Sequence, residues 1–222
     1  MRGKHLALIS SVAAIAAPIG GMACSGQSMV VKRPQPATDT AITALWADEI
    51  RANAEDGDWI LSRSYSFVGD VITGMTRGDD WSHAAMYDKE HDVIIEATGD
   101  GVHETSVESF VRRNYHLAVM RPGGTTAAER RAGLERVRGK MGTKYDWSGL
   151  IGFDDPDRFT CAELILWSAE PERRGWHVPI IVAPSDLPKY GQVVFYTGTR
   201  DDRDVQLLAR SAPALPFLAA AR

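Results

Sequence analysis

Phe159-Thr160-Cys161-Ala162-Glu163-Leu164-Ile165-Leu166-Trp167 is the stretch on which the reading of this chain turns. Thr160 and Glu163 stand at capping-box spacing, so Thr160 is the predicted N-cap and Cys161 the first residue of an amphipathic helix. Unpaired backbone N–H groups and the positive end of the helix dipole favour a thiolate there, and cysteines so placed can titrate well below about 8.5. A lone cysteine is more often a small buried apolar residue than a nucleophile, so the assignment requires a base elsewhere in the chain.

The base is sought in two β-type runs, Ser82 to Tyr87 and Val93 to Thr98, joined by Asp88-Lys89-Glu90-His91-Asp92. A tip centred between Lys89 and Glu90 places His83 directly opposite Glu96. Both then share a face with Ala85 and Ile94, while Ala84, Met86, Val93 and Ile95 form the other face. A histidine and a glutamate are costly to bury in an apolar hairpin unless they are paired. Cys161 as nucleophile, His83 as base and Glu96 as the group orienting the imidazole make a coherent triad. A solvent-exposed cross-strand pair is the plainer alternative.

The N-terminus reads as a secretory signal over residues 1–23: Arg2 and Lys4, an apolar stretch from Leu6 to Ile19, then small residues before Cys24. Removing it takes away two cations and no acid, moving the formal charge from −4 to −6. Cys24 stands as in a bacterial lipobox, with Gly21 where Leu is usual, and is the expected lipidation site and membrane attachment. Simple cleavage after Ala23 is the alternative. Either way Cys161 keeps no intramolecular disulfide partner in an oxidising compartment. The expected location is the bacterial cell envelope, periplasmic or membrane-anchored.

Residues 24–38, with Pro34 and Pro36, read as a tether, residues 39–199 as one domain, and residues 200–222, rich in Ala and Pro from Ser211 onward, as a C-terminal tail expected to be disordered. Between Ile42 and Ile50 the apolar residues have helical spacing. Further expectations are a strand at Trp59-Ile60-Leu61, a helix-like stretch with Phe67, Val68, Val71, Ile72 and Met75, a short strand at Val102 to Glu104 and a helix from Ser106 to Arg113. A strand from Leu117 to Met120, a helix from Thr125 to Met141 and a strand from Gln192 to Tyr196 follow. The basic run Glu129-Arg130-Arg131 to Arg138 and Lys140 reads as a solvated helix face, Arg200 to Asp204 as a solvated turn, and His103 and His116 as surface strand ends. No basic stripe interleaved with aromatics points to nucleic acid. The histidines are scattered and no metal-ligand spacing occurs, so neither a metal nor another cofactor is expected.

Five segments in order, Gly57-Asp58-Trp59-Ile60, Ser82-His83-Ala84-Ala85, Ile95-Glu96-Ala97, Lys144-Tyr145-Asp146 and Thr160-Cys161-Ala162-Glu163-Leu164, resemble the motifs of the YiiX/YaeF-type permuted papain-like amidases of the NlpC-type superfamily. The resemblance spans roughly Asp56 to Trp167. It implies an α+β, circularly permuted papain-like fold in which an antiparallel sheet packs against the cysteine helix. It also implies Cys161 as nucleophile, His83 as base, Glu96 as third member, Tyr145 as an oxyanion or site-lining residue, and Asp58 as a structural turn position. Ala85, where glycine is common, and the acidic loop from Gly152 to Arg158 depart from the family pattern.

Three functions are consistent with this reading. One is a thiol amidase or peptidase acting on envelope peptides. Another is a lipid acyl hydrolase or acyltransferase using the same triad, with Trp59, Trp81 and Trp147 near the motifs. The third is a catalytically silent envelope-binding lipoprotein.

Overall fold

A computed structural model describes residues 33–65, 81–153 and 155–211 of the chain. The leader, Cys24, most of the tether, the helix-like stretch from Phe67 to Met75 and the residues after Ser211 lie outside the described residues.

The chain begins with α1 (Pro36–Asn53) and continues through β1 (Trp59–Ser64), β2 (His83–Asp88), β3 (Val93–Thr98) and β4 (Gly101–Ser106). Helix α2 (Val107–Arg112), β5 (Asn114–Pro122), α3 (Ala127–Arg138), α4 (Cys161–Ser168), β6 (Gly191–Thr199) and α5 (Arg203–Ser211) follow, with short 3₁₀ turns between α3 and β6. The strands form one sheet in the order β4-β3-β2-β1-β5-β6, and every neighbouring pair is antiparallel.

Both faces of this sheet are covered, because successive side chains of each strand point to opposite sides and both sets are apolar. On one side Trp59, Leu61, Ala84, Met86, Ile95 and Ala97 pack with Leu134 and Val137 of α3 and with Ala162, Leu164, Ile165 and Leu166 of α4. On the other, Ile60, Ala85, Tyr87, Ile94, Leu117 and Val119 pack with Ile42, Trp46 and Ile50 of α1, Phe110 of α2, and Val205 and Ala209 of α5. This α+β arrangement, a sheet packed against the cysteine helix, is the architecture of a permuted papain-like fold.

Several expectations need correction. Helix α1 starts at Pro36, so the last residues of the expected tether are helical; proline at the first helical position lacks only an N–H that would be unpaired there anyway. At the other end, residues 203–211 form a helix whose Val205 and Ala209, one turn apart, are buried in the α1 core, so the folded unit does not stop at Thr199. His116 is buried in β5, with Trp81 stacked 4.8 Å from its ring. The basic face of α3 is only partly solvated: Arg138 Nε donates to the buried Asp88 carboxylate at 2.6 Å, and Arg130 lies 3.4 Å from buried Asp58.

Arg200, expected in a solvated turn, is wholly buried. Its guanidinium donates to Asn114 O (2.7 Å), Val111 O (2.7 Å), Thr43 Oγ1 (3.2 Å) and Asp39 Oδ1 (2.8 Å), and lies over the Trp46 ring. One side chain thus joins α1, the C-terminus of α2 and the start of β5. Removing the guanidinium takes a donor from each of the Asn114 and Val111 carbonyls and leaves the partly buried Asp39 carboxylate with Arg33 at 3.7 Å, a type of loss worth about 3–5 kcal/mol. Arg200→Met is therefore expected to lower unfolding free energy by about that amount, measured by urea titration; a change within experimental error would mean that these contacts contribute nothing net.

Candidate active site

The hairpin of β2 and β3 carries the first surprise of register. Ala85, not His83, lies opposite Glu96, and the turn occupies Lys89 to Asp92, centred one residue later than expected. Asp88 sets the tip by accepting the His91 N–H at 3.0 Å. Moving the centre by one residue moves the pairing by two, so side-chain parity survives and His83 and Glu96 remain on one face as diagonal neighbours. Their side chains close the gap: His83 Nε2 is 2.7 Å from Glu96 Oε2. That contact leaves Nδ1 of His83 to face the thiol.

Cys161 opens α4 as expected. Thr160 Oγ1 accepts from Glu163 N–H at 3.3 Å, and Glu163 Oε2 accepts from Thr160 N–H at 2.8 Å. The cysteine is buried, and its sulfur accepts hydrogen bonds from His83, from the Ala84 N–H and from the Tyr145 phenol. Helix α4 packs on one side of the sheet, whereas the His83 ring rests near Phe110 on the other, at 6.0 Å between centroids. The two meet where β2 begins, because a side chain on the first residue of a strand is not hemmed in by a preceding one.

Tyr145 reaches the same point through a single bridge to Phe159, reinforced by Asp146 N–H donating to Phe159 O at 3.0 Å. Buried Asp146 fixes the loop by accepting from Ser148 N–H (2.9 Å), Ser148 Oγ (2.6 Å) and Asp155 N–H (3.1 Å). The tyrosine oxygen also accepts from the Cys161 N–H. Asp58 holds the turn before β1, its carboxylate gripped by Arg121 at 3.0 and 2.7 Å.

The electrostatics follow from these neighbours. Burial alone would push the Cys161 thiol up, but the positive charge and hydrogen bond of His83, with the donors from Ala84 and Tyr145, hold it below its ordinary value. Burial pulls the His83 imidazole down; the Cys161 thiolate and Glu96 outweigh it and push it up to about 10. Burial, then the adjacent thiolate, push the Tyr145 phenol upward, so it remains a donor. Burial would raise Glu96, and His83 and Arg113 hold it below the usual carboxylate range. These neighbours together favour a Cys161 thiolate paired with a His83 imidazolium.

A cavity of about 590 Å³ opens on this pair, lined among others by His83, Tyr145, Trp147, His103, Arg113 and Cys161. Of the three tryptophans near the motifs, Trp59 is core, Trp81 is partly buried, and Trp147 is 54 % exposed on the cavity wall. Two cavity residues were not foreseen as such. His103 lies on β4 with Nε2 3.6 Å from Glu96, and Arg113 donates to Glu96 Oε1 at 2.5 Å. Neither has a local signal, because each contact depends on how strands of different hairpins align.

Residues 53–168 match the model of a family described as permuted papain-like amidase enzyme, YaeF/YiiX, C92 family, and the chain belongs to that family. It is a family of cysteine-type amidases or peptidases. No curated protein matches the sequence.

Removing the imidazolium leaves burial as the dominant influence on the thiol. In His83→Ala, the apparent pKa of Cys161 alkylation by iodoacetamide is expected to rise above about 8.5, with a rate at pH 7 lowered at least about tenfold. Because the folded pKa of the wild-type thiol is depressed and that of His83 is raised to about 10, the ion pair is present between those limits and lost as pH rises through about 10. An unchanged alkylation profile in the variant would show that His83 does not stabilise the thiolate.

Proposed function

We propose that the protein is an exported thiol hydrolase that cleaves amide bonds of cell-envelope peptides, with Cys161, His83 and Glu96 as its triad. The observation that supports this most directly is the contact of Cys161 with His83 at an open cavity, with Glu96 on the far nitrogen of the imidazole. Family membership supports hydrolysis through a cysteine.

The thiolate of Cys161 attacks the substrate carbonyl carbon, forming a C–S bond and moving the carbonyl electron pair onto oxygen. The Tyr145 hydroxyl and the Cys161 N–H are donors beside that oxygen once substrate displaces their mutual contact. His83 Nδ1–H then protonates the departing amine as the C–N bond breaks, leaving a thioester. His83, now neutral, takes a proton from water; the hydroxide carbon bond forms, the thiolate leaves, and the carboxylic product is released with the ion pair restored. Glu96 accepts from Nε2 throughout, which fixes the ring and favours its protonated form.

The leader over residues 1–23 and the lipobox-like Cys24 support export to the bacterial envelope and attachment there through a lipid. A lipid acyl hydrolase or acyltransferase is the second reading, supported by the exposed Trp147 on the cavity wall, a surface on which an acyl chain can lie. The triad serves both reactions, so substrate alone separates them. Incubation with envelope-derived peptides and, separately, with acyl phospholipids is expected to give an acyl adduct on Cys161 by mass spectrometry with the peptide set. An adduct only with the lipids moves the assignment to the second reading, and none with either set removes the hydrolase reading. Tyr145→Phe is expected to lower kcat about a hundredfold with KM little changed, the loss of one oxyanion donor; an unaltered kcat would remove Tyr145 from the mechanism.

A further inference from the structure

The third member of the triad is itself held by a fourth group. Glu96 has no exposed surface, and its two oxygens face different partners: Oε2 meets His83 Nε2 at 2.7 Å, and Oε1 accepts from Arg113 Nη2 at 2.5 Å. Among the described residues, His103 also lies against it, with Nε2 at 3.6 Å from Oε1 and Nδ1 donating to Gly101 O at 2.9 Å. We propose that Arg113 is a positioning residue of the active site, acting on Cys161 through Glu96 and His83.

The argument begins with charge. A thiolate, an imidazolium and a carboxylate with no exposed surface together leave one uncompensated negative charge. Such a charge is relieved most easily by protonating the carboxyl, because burial disfavours the ionised form. A protonated Glu96 would no longer hold the His83 proton, and the thiolate would lose its partner in turn. Arg113 completes an alternating row, Cys161 negative, His83 positive, Glu96 negative, Arg113 positive. It also gives Oε1 a donor, without which that oxygen would be a buried acceptor lacking a close hydrogen bond.

The placement of Arg113 is built rather than incidental. It caps the C-terminus of α2, its N–H donating to Phe110 O at 3.2 Å, and its carbonyl accepts from Tyr65 N–H at 3.0 Å just past β1. Its guanidinium lies 5.5 Å from the Phe110 ring, the same ring that stands 6.0 Å from His83. Phe110 is thus an apolar platform shared by the base and the arginine, with Glu96 linking them across it. The simpler role for a basic residue at a helix end is to complement the dipole. Arg112, exposed beside it, is available for that role, whereas Arg113 turns to a carboxylate on another element. Its side chain is 44 % exposed, so solvent weakens its pull, and the expected effect is moderate.

This inference rests on the proposed triad, and its test separates the two. The pH profile of Cys161 alkylation by iodoacetamide is measured on the full chain for the wild type, Arg113→Met, Arg113→Lys, Glu96→Gln and the Glu96→Gln, Arg113→Met double variant. Arg113→Met is expected to move the acid limb to higher pH, lowering the rate about tenfold where the wild type is half-reactive, while the rate at the high-pH plateau is kept. Arg113→Lys, which retains the charge, should recover part of that loss. In the Glu96→Gln background the arginine substitution should have no further effect, since the carboxylate through which it acts is gone. An unmoved acid limb in Arg113→Met, or an equal shift with and without Glu96, overturns the inference. Circular dichroism checks folding first, and Arg113→Gln is judged by the same criteria should Arg113→Met not fold. An alkylation profile of His83→Ala, measured alongside, that matches the wild type would instead overturn the triad itself.

Discussion

A buried thiolate can persist only where its charge is answered at close range, and in this protein the answer is a line of groups that alternate in sign from Cys161 through His83 and Glu96 to Arg113. Much of the rest of the fold can be understood as the means of assembling that line. The capping box places Cys161 at a helix start, where N–H groups and the dipole already favour negative charge. The beginning of β2 puts His83 beside it, the next strand supplies Glu96, and the end of α2 supplies Arg113. No two of the four come from the same secondary-structure element, so the site exists only when the sheet is correctly paired and helices are docked on both sides of it.

That requirement explains why the sheet is buried on both faces. With α3 and α4 on one side and α1, α2 and α5 on the other, β1 and β2 are central and their ends are fixed from above and below. Cys161 and His83 meet where β2 begins, at a place where a cavity can open without breaching either core. A thiol from the α4 side and an imidazole resting against Phe110 on the α2 side can meet only at such an end.

How far the sequence reveals this depends on whether a contact is local. The capping box of Thr160 and Glu163 lies within four residues, and both its hydrogen bonds form as read. The hairpin was legible in its face but not its register: the centre of the turn is displaced by one residue, yet the even period of a strand keeps His83 and Glu96 on one side. A displacement by half a residue would have separated them, since it changes parity. Arg200 and Arg113 were not legible at all. Arg200 sits among the charged residues Asp201, Asp202, Arg203 and Asp204 and looks solvated, but its partners Asp39, Val111 and Asn114 are brought to it from remote parts of the chain. His116 likewise has a polar sequence identity and a buried position, decided by the aromatic side chains that surround it.

The family match over residues 53–168 contains all four members of the charge row, but it does not contain the whole physical unit. Helix α1 before it and β6 and α5 after it close the core on the face where Phe110 lies, through Ile42, Trp46, Ile50, Val205 and Ala209. Arg200, outside the matched region, grips the Val111 and Asn114 carbonyls on either side of Arg113. The α2 to β5 junction that aims Arg113 at Glu96 is therefore held from beyond the boundaries of the match. Arg200 thus supports the backbone on either side of Arg113, while its own hydrogen bonds go to Asp39, Thr43, Val111 and Asn114. The motifs carry the chemistry, while the segments that flank them hold its geometry.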